Sequence, residues 1–251
     1  MAAIALLGGQ FLIADLVQRT VIVAWVKLRP SSRARVFSWW TKLITHGIME
    51  IVQRIGGARI EISAKVPLEP GILVLMNHQS LLDIPVALQI FGGDYPRFVT
   101  LRRHSRGIPM VSYMLRLYKH PIVDPEQNVR RQLFSLREMA ATSTRPVLIF
   151  PEGSRTQDGE IPPFKMGGMK AILSARPWSV HVVVGDGMWH AARLGDFVRN
   201  VSSIQSKVES VGPFTFDAKS DDVDAFISEM HRQMCDKLRE MREARRAAAT
   251  G

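Results

Sequence analysis

Residues Gly71–Asp83 read GILVLMNHQSLLD. Ile72 to Met76 are consecutively apolar with no polar alternation, the pattern of a strand covered on both faces. Asn77 and His78 stand directly behind them, and a carboxylate, Asp83, follows five residues after the histidine. Five residues apart on a continuous helix point in different directions, whereas across a turn into a helix they can meet. Ser80 to Asp83 fits a capping-box start, with Ser80 as N-cap and Asp83 as its third helical residue. The same turn would let Asp83 hold one ring nitrogen of His78, fix the tautomer and support the imidazolium formed when the other nitrogen takes a proton. A capped helix beside a structural histidine and an oriented base are both compatible with these residues.

The flanking sequence sets this stretch in an alternation of strands and helices. ARIEISAKV at 58–66 alternates apolar and polar residues, a strand with one wet face. Before it, a helical stretch from Arg33 to Ile55 ends at Gly56-Gly57, a C-cap pair. After it, helices are expected at Leu81–Phe91, Pro109–Leu117, Glu126–Ala141 and 166–175, with strands RFVTL (97–101), HPIV (120–123), PVLIF (146–150) and VHVVVG (180–185) between and after them. One or two strands fall within 203–216. Val223, Phe226, Ile227, Met230, Met234, Leu238 and Met241 then mark a last amphipathic helix. The alternation implies an α/β fold, a mixed, partly parallel sheet flanked by helices, with sites beyond the carboxyl ends of the strands. There are no repeats and no low-complexity segments.

The chain has 251 residues, with 33 Lys+Arg against 23 Asp+Glu and a formal charge of +10. Such an excess points to an anionic partner: nucleic acid, a phospholipid surface or a phosphorylated substrate. No groove-reading or base-stacking motif accompanies the charge, which argues against nucleic acid. A single cysteine, Cys235, excludes a disulfide framework and a thiolate metal cluster. The apolar opening segment has no preceding positive residues, so it does not read as a signal peptide. Asp15 and Arg19, four apart and sharing a face with Gln18, interrupt it and argue against a spanning helix. Trp25, Lys27, Arg29, Arg33, Arg35, Trp39 and Trp40 follow, the mixture a headgroup interface favours. An interfacial or partly inserted helix is the expectation; if it spanned, the basic residues after it would place the rest of the chain on the cytoplasmic side.

A second stretch, LIFPEGSRTQDGEIPPFKMGG at 148–168, also follows a buried strand. Gly153 permits close backbone approach, and Arg155 and Lys165 are donors suited to an oxyanion or phosphate, beside Glu152 and Ser154. Composition alone would make this a solvated turn. Arg97, Arg102, Arg103, Arg106, Arg116, Lys119, Arg130 and Arg131 form a basic belt between the two stretches. It suits a solvated face, a membrane-facing surface or an acceptor phosphate site equally well.

NHQSLLD matches the Asn-His-x-x-x-x-Asp box of the glycerolipid acyltransferases, the lysophosphatidic acid acyltransferase group in particular. FPEGSRT resembles that family's third box, and PPFKMGGMKAILSA resembles the Phe-Lys-x-Gly helix after it. The resemblance covers about Val66 to Gly187. It implies an acyltransferase domain over 57–251, preceded by membrane-associated helices over 1–56. It further implies that His78, oriented by Asp83, deprotonates an acceptor hydroxyl that attacks an acyl thioester, acyl-CoA or acyl-ACP. Glu152, Gly153, Ser154, Arg155 and Lys165 would bind the head of a lysophospholipid acceptor at a phospholipid membrane surface, the inner or plasma membrane. No metal or redox cofactor is implied. The acyl chain calls for an apolar groove, expected along the helices after Phe91 and after Gly107. Two departures bear on the acceptor. PIVDPEQ has Pro125 where the second box carries arginine, leaving Arg102 or Arg103 to supply the charge. SVHVVVGDG lacks the fourth box's proline and contains His181. A different lysolipid or an amine-bearing acceptor therefore stays open.

Overall fold

The computed structural model describes residues 1–124 and 128–250, with the side chains of Leu101, Arg103, Ala249 and Thr250 outside that description. Helix α1 (Ala2–Val17) runs through a π-helical turn at Gln18–Ile22 into α2 (Val23–Leu28), and a 3-10 turn at Pro30–Ser32 leads into α3 (Arg33–Glu50). A second π-helical turn, Ile51–Ile55, carries α3 to Gly56; Gly57 takes a φ of +79°, as a glycine C-cap requires. The chain continues through β1 (Arg59–Ile62), β2 (Ile72–Met76), α4 (Asp83–Ile90), β3 (Arg97–Phe98), β4 (Thr100–Leu101), α5 (Val111–Leu117), β5 (Ile122–Val123) and α6 (Val129–Thr142). It closes with β6 (Val147–Ile149), α7 (Met166–Leu173), β7 (Trp178–Asp186), α8 (Leu194–Asn200), β8 (Gln205–Phe216) and α9 (Val223–Thr250).

Six strands form one sheet in the order β1-β8-β7-β2-β6-β3, parallel except where β7 meets β8. The alternation of side chains along each central strand divides the core. Val74 and Met76 of β2, Leu148 of β6 and Val183 of β7 join α3 and α4 on one face. Leu73, Leu75, Val147, Ile149, Val180, Val182 and Val184 join α7 and α9 on the other. All five β2 side chains are buried, so the unbroken apolar run is explained by cover on both faces. Each such side chain contributes about 1.5–3 kcal/mol through burial.

The departures from expectation are local. RFVTL splits at Val99, and β4 leaves the sheet to pair with β5 in a separate two-stranded ladder. Phe91 is followed by turns at Gly92 and Gly93, both with positive φ, instead of a helix, so only the helix after Gly107 (α5) is present. The 203–216 segment holds one long strand, β8, with a register shift opposite Val180 to Val182. Helix α8 has no sequence signal strong enough to mark it, being only seven residues long. Glu126 and Pro125 lie outside the described residues.

The first helices pack antiparallel to α3. Gln10 Nε2 donates to Ile44 O at 3.1 Å, and Trp40 Nε1 donates to Gln18 Oε1 at 3.1 Å. Trp40, expected at a headgroup interface, and Gln18, expected on the polar face of Asp15 and Arg19, are both buried. Gln18 Nε2 also donates to Met110 O, so its amide satisfies groups on two other elements. Asp15 and Arg19 do pair, at 2.7 Å, and Asp15 Oδ1 accepts the Met110 N–H. Arg19 holds the Asp15 carboxyl below its ordinary pKa. Leu12, Ile13, Leu16, Leu28, Trp25 and Trp39 stay largely exposed. No helix among the described residues is long and apolar enough to cross a membrane.

Candidate active site

Strands β2 and β6 are parallel neighbours with Leu75 opposite Ile149. Three residues further, the same register sets His78 opposite Glu152, beyond the carboxyl ends of both strands. The His78 N–H donates to Glu152 Oε1 at 3.0 Å, and Thr156 N–H donates back to His78 O at 2.9 Å. The two sequence stretches are thus joined through the backbone of the histidine.

His78 Nδ1 lies 2.6 Å from Asp83 Oδ2. That oxygen also accepts the N–H groups of Gln79 at 2.6 Å and Ser80 at 2.8 Å. Two backbone donors identify Oδ2 as an acceptor, so Nδ1 is the donor to it, and in the neutral ring Nε2 carries the lone pair. Asp83 is wholly buried, while the His78 side chain is 20% exposed. The imidazole stacks on Phe150, with centroids 4.1 Å apart and planes at 20° to each other. Half of the expected capping box forms, since Asp83 reaches back to Ser80 N–H. The Ser80 hydroxyl accepts the Leu82 N–H at 3.3 Å and donates to Ala191 O at 3.0 Å, but helix α4 begins at Asp83 itself.

Residues to which the sequence reading gave no role hold this turn. Asn77 exchanges two hydrogen bonds with Gly185 of β7, Nδ2 to O at 2.9 Å and N to Oδ1 at 2.8 Å. Gln79 Oε1 accepts Met188 N–H at 3.1 Å. Two carboxamides flanking His78 were the available signal, because buried amides at a strand end must find partners. Phe150 carried a weaker one, as an aromatic closing an apolar strand.

The second stretch forms a loop whose ends meet at Lys165 N–H and Pro151 O, 2.8 Å apart. Burial pushes the Glu152 carboxyl up to about 8, against the lowering effect of the His78 N–H bond, and nearby Asp83 adds to the rise. Its Oε2 is buried with no hydrogen-bond partner among the described residues. Gly153 has a φ of +72°, and a Cβ there would lie 2.7 Å from Lys165 Cδ, so the lysine stem crosses directly over it. Arg155 is half-buried and donates to Ala192 O. Ser154 and Lys165 are exposed. At the loop's far end, Arg242 of α9 donates to Gly159 O at 2.7 Å and Glu160 Oε1 at 2.6 Å.

The basic belt is divided. Arg102 pairs with Asp124 at 2.6 Å, Arg97 donates to Tyr118 O, and Arg116 donates to Ser105 O. The Arg103 side chain lies outside the described residues. His181 sits on β7 opposite Val74, and burial lowers its pKa.

Residues 57–185 match the family model described as Acyltransferase, more than half of the chain. The chain belongs to the Acyltransferase family. Both stretches that build the site fall inside the matched family region, whereas α1 to α3 and α9, with Arg242, fall outside it. No curated protein matches the sequence. Among solved structures, the 1-acyl-sn-glycerophosphate (LPA) acyltransferase PlsC from Thermotoga maritima is similar with a TM-score of 0.61, over 95% of each chain at 19% identity. The likeness shows a shared fold that includes the N-terminal helices as well as the family domain.

Proposed function

We propose that the protein is an O-acyltransferase that moves a fatty acyl chain from acyl-CoA or an acyl carrier protein to the hydroxyl of a lysophospholipid such as lysophosphatidic acid. The observation that carries this reading is the His78–Asp83 pair at 2.6 Å, with Nε2 left open at the carboxyl edge of β2 beside Glu152. His78 Nε2 takes the acceptor's hydroxyl proton as its oxygen attacks the thioester carbonyl. The new C–O bond forms and a tetrahedral intermediate collapses with loss of the C–S bond. The thiolate leaves and recovers the proton from the imidazolium, which Asp83 stabilises meanwhile. Alcoholysis of a thioester is downhill, so positioning and one proton transfer supply the rate.

Arg155 and Lys165 are the cations of this loop suited to the acceptor's phosphate, with the Lys165 stem lying over Gly153. The exposed apolar residues of α1, α2 and α3 support attachment to a membrane surface, lying in it instead of crossing it. Lys27, Arg29, Arg33 and Arg35 at the hairpin tip favour an anionic, cytoplasmic leaflet.

The test is mass-spectrometric detection of acyl transfer by the purified protein in liposomes, with palmitoyl and oleoyl thioesters and a panel of lysolipids. Acylation of one acceptor that His78→Ala loses, with its fold intact, is the expected result. Full activity in His78→Ala would show that the histidine is structural, and free fatty acid as sole product would make the enzyme a hydrolase.

A further inference from the structure

Helix α6 carries a face that the rest of the molecule does not use. Leu133 and Leu136 lie beside Gly167 and Gly168 of α7, and Ala140 enters the core shared with α7 and α9. On the opposite side, Arg130, Arg131, Phe134 and Arg137 are exposed, Phe134 to 69%. Positions 130, 134 and 137 are separated by four and three residues, so they form one stripe. Elsewhere in the belt, Arg97, Arg102 and Arg116 are bonded, while Arg106 and Lys119 are exposed away from α6. The three arginines of α6 have no ion-pair partner among the described residues. The sole acid of α6, Glu138, sits at the far end of the stripe.

An exposed phenyl ring among guanidinium groups leaves apolar area in water and like charges unscreened by protein. Both are relieved by a surface that presents carboxylates around an apolar ridge. The position selects the kind of partner. Helix α6 covers the sheet face shared with α7 and α9, whereas the first helices and α3 pack on the other face. The exposed apolar residues of the first helices and this stripe thus belong to elements packed on opposite faces of the sheet. Leu133, next to Phe134, lies beside Gly167, two residues past the Lys165 that crosses Gly153. The stripe is thus on the site's flank.

We propose that the exposed face of α6 docks the carrier of the acyl donor: a small acidic protein that bears the acyl chain as a thioester and presents a carboxylate-rich helix. This rests on the acyl-transfer reading above. The arginines steer the carrier and set its register, and Phe134 fills its apolar ridge.

The experiment offers one acceptor with the same acyl chain presented on acyl carrier protein and on CoA. It compares the wild type with a triple variant, Arg130→Glu, Arg131→Glu and Arg137→Glu, and with Phe134→Ser. The expected result is a fall of about tenfold or more in kcat/KM with the carrier protein, and a change within about twofold with CoA. Equal losses with both donors, or no loss, overturn the docking site. Loss of binding to phosphatidylglycerol vesicles by the triple variant also overturns it, and makes the stripe a membrane contact. Wild-type transfer from CoA alone overturns the docking proposal while leaving acyl transfer standing. Transfer from neither donor overturns the acyl-transfer reading itself.

Discussion

Glu152 gives the most quantitative consequence of this site. Its carboxyl is buried, one oxygen bonds the His78 N–H, and the other has no hydrogen-bond partner among the described residues. Burial raises its pKa from 4.5 to about 8. The folded protein therefore keeps a proton that the unfolded chain releases as pH rises above 4.5. Stability from this group falls across pH 4.5 to 8 and levels off above, once both states are ionised. The window spans three and a half pH units, and at about 1.4 kcal/mol each it amounts to about 5 kcal/mol. Glu152→Gln removes the titration while keeping an oxygen to accept the His78 N–H. The new amide adds a cost independent of pH, so the difference in slope isolates the carboxyl. Urea unfolding at pH 5 and pH 8 should show the wild type losing several kcal/mol relative to Glu152→Gln, about 10 °C or more in Tm. Parallel pH profiles for the two proteins would refute the reasoning, because Glu152 would then be ionised in the fold at neutral pH.

Three further outcomes follow from the geometry. Asp83→Asn should lower kcat by about 10³–10⁴-fold with an unchanged circular dichroism spectrum, because a neutral amide cannot stabilise the imidazolium that His78 becomes. Gly153→Ala should strain the backbone by about 1–2 kcal/mol at its φ of +72° and displace the Lys165 stem; acceptor KM should rise more than kcat falls, measured by steady-state kinetics. Gln18→Leu should cost about 1–3 kcal/mol by stranding the buried Trp40 N–H, read as a lower melting temperature. An unaltered melt would mean that the first helix packs more loosely than its hydrogen bonds imply.

The continuous strand Ile72–Met76, the glycine stop at Gly56-Gly57 and the periodicity of α9 were all legible, because two-sided burial, C-capping and one-sided burial each leave a distinct residue pattern. The meeting of His78 with Asp83 was legible as a possibility that a turn allows. The pairing of His78 with Glu152 was not, since it depends on β2 and β6 being neighbours in register, and that choice among strands is not written in either strand. Gln18 and Trp40 were misplaced for a related reason. A polar amide and an indole on an apolar helix look like interface residues until a third element, here Met110, supplies their partners. The helix expected from Leu81 begins at Asp83, because Ser80 accepts the Leu82 N–H in a turn that precedes α4.

The antiparallel packing of the first helices on α3 also bears on how the molecule can be handled. Trp40, Ile44 and Ile48 belong to the same apolar cluster as Val74, Val86 and Met110, and Gln18 ties the first helix to two of its members. A chain trimmed to begin at 57 would not be a water-soluble catalytic remnant. It would carry an open wound along one side of its sheet, where β2 and α4 had been covered. The first helices and the layer that carries His78 thus share one set of residues, so removing the first would expose the face of β2 and α4 that they cover.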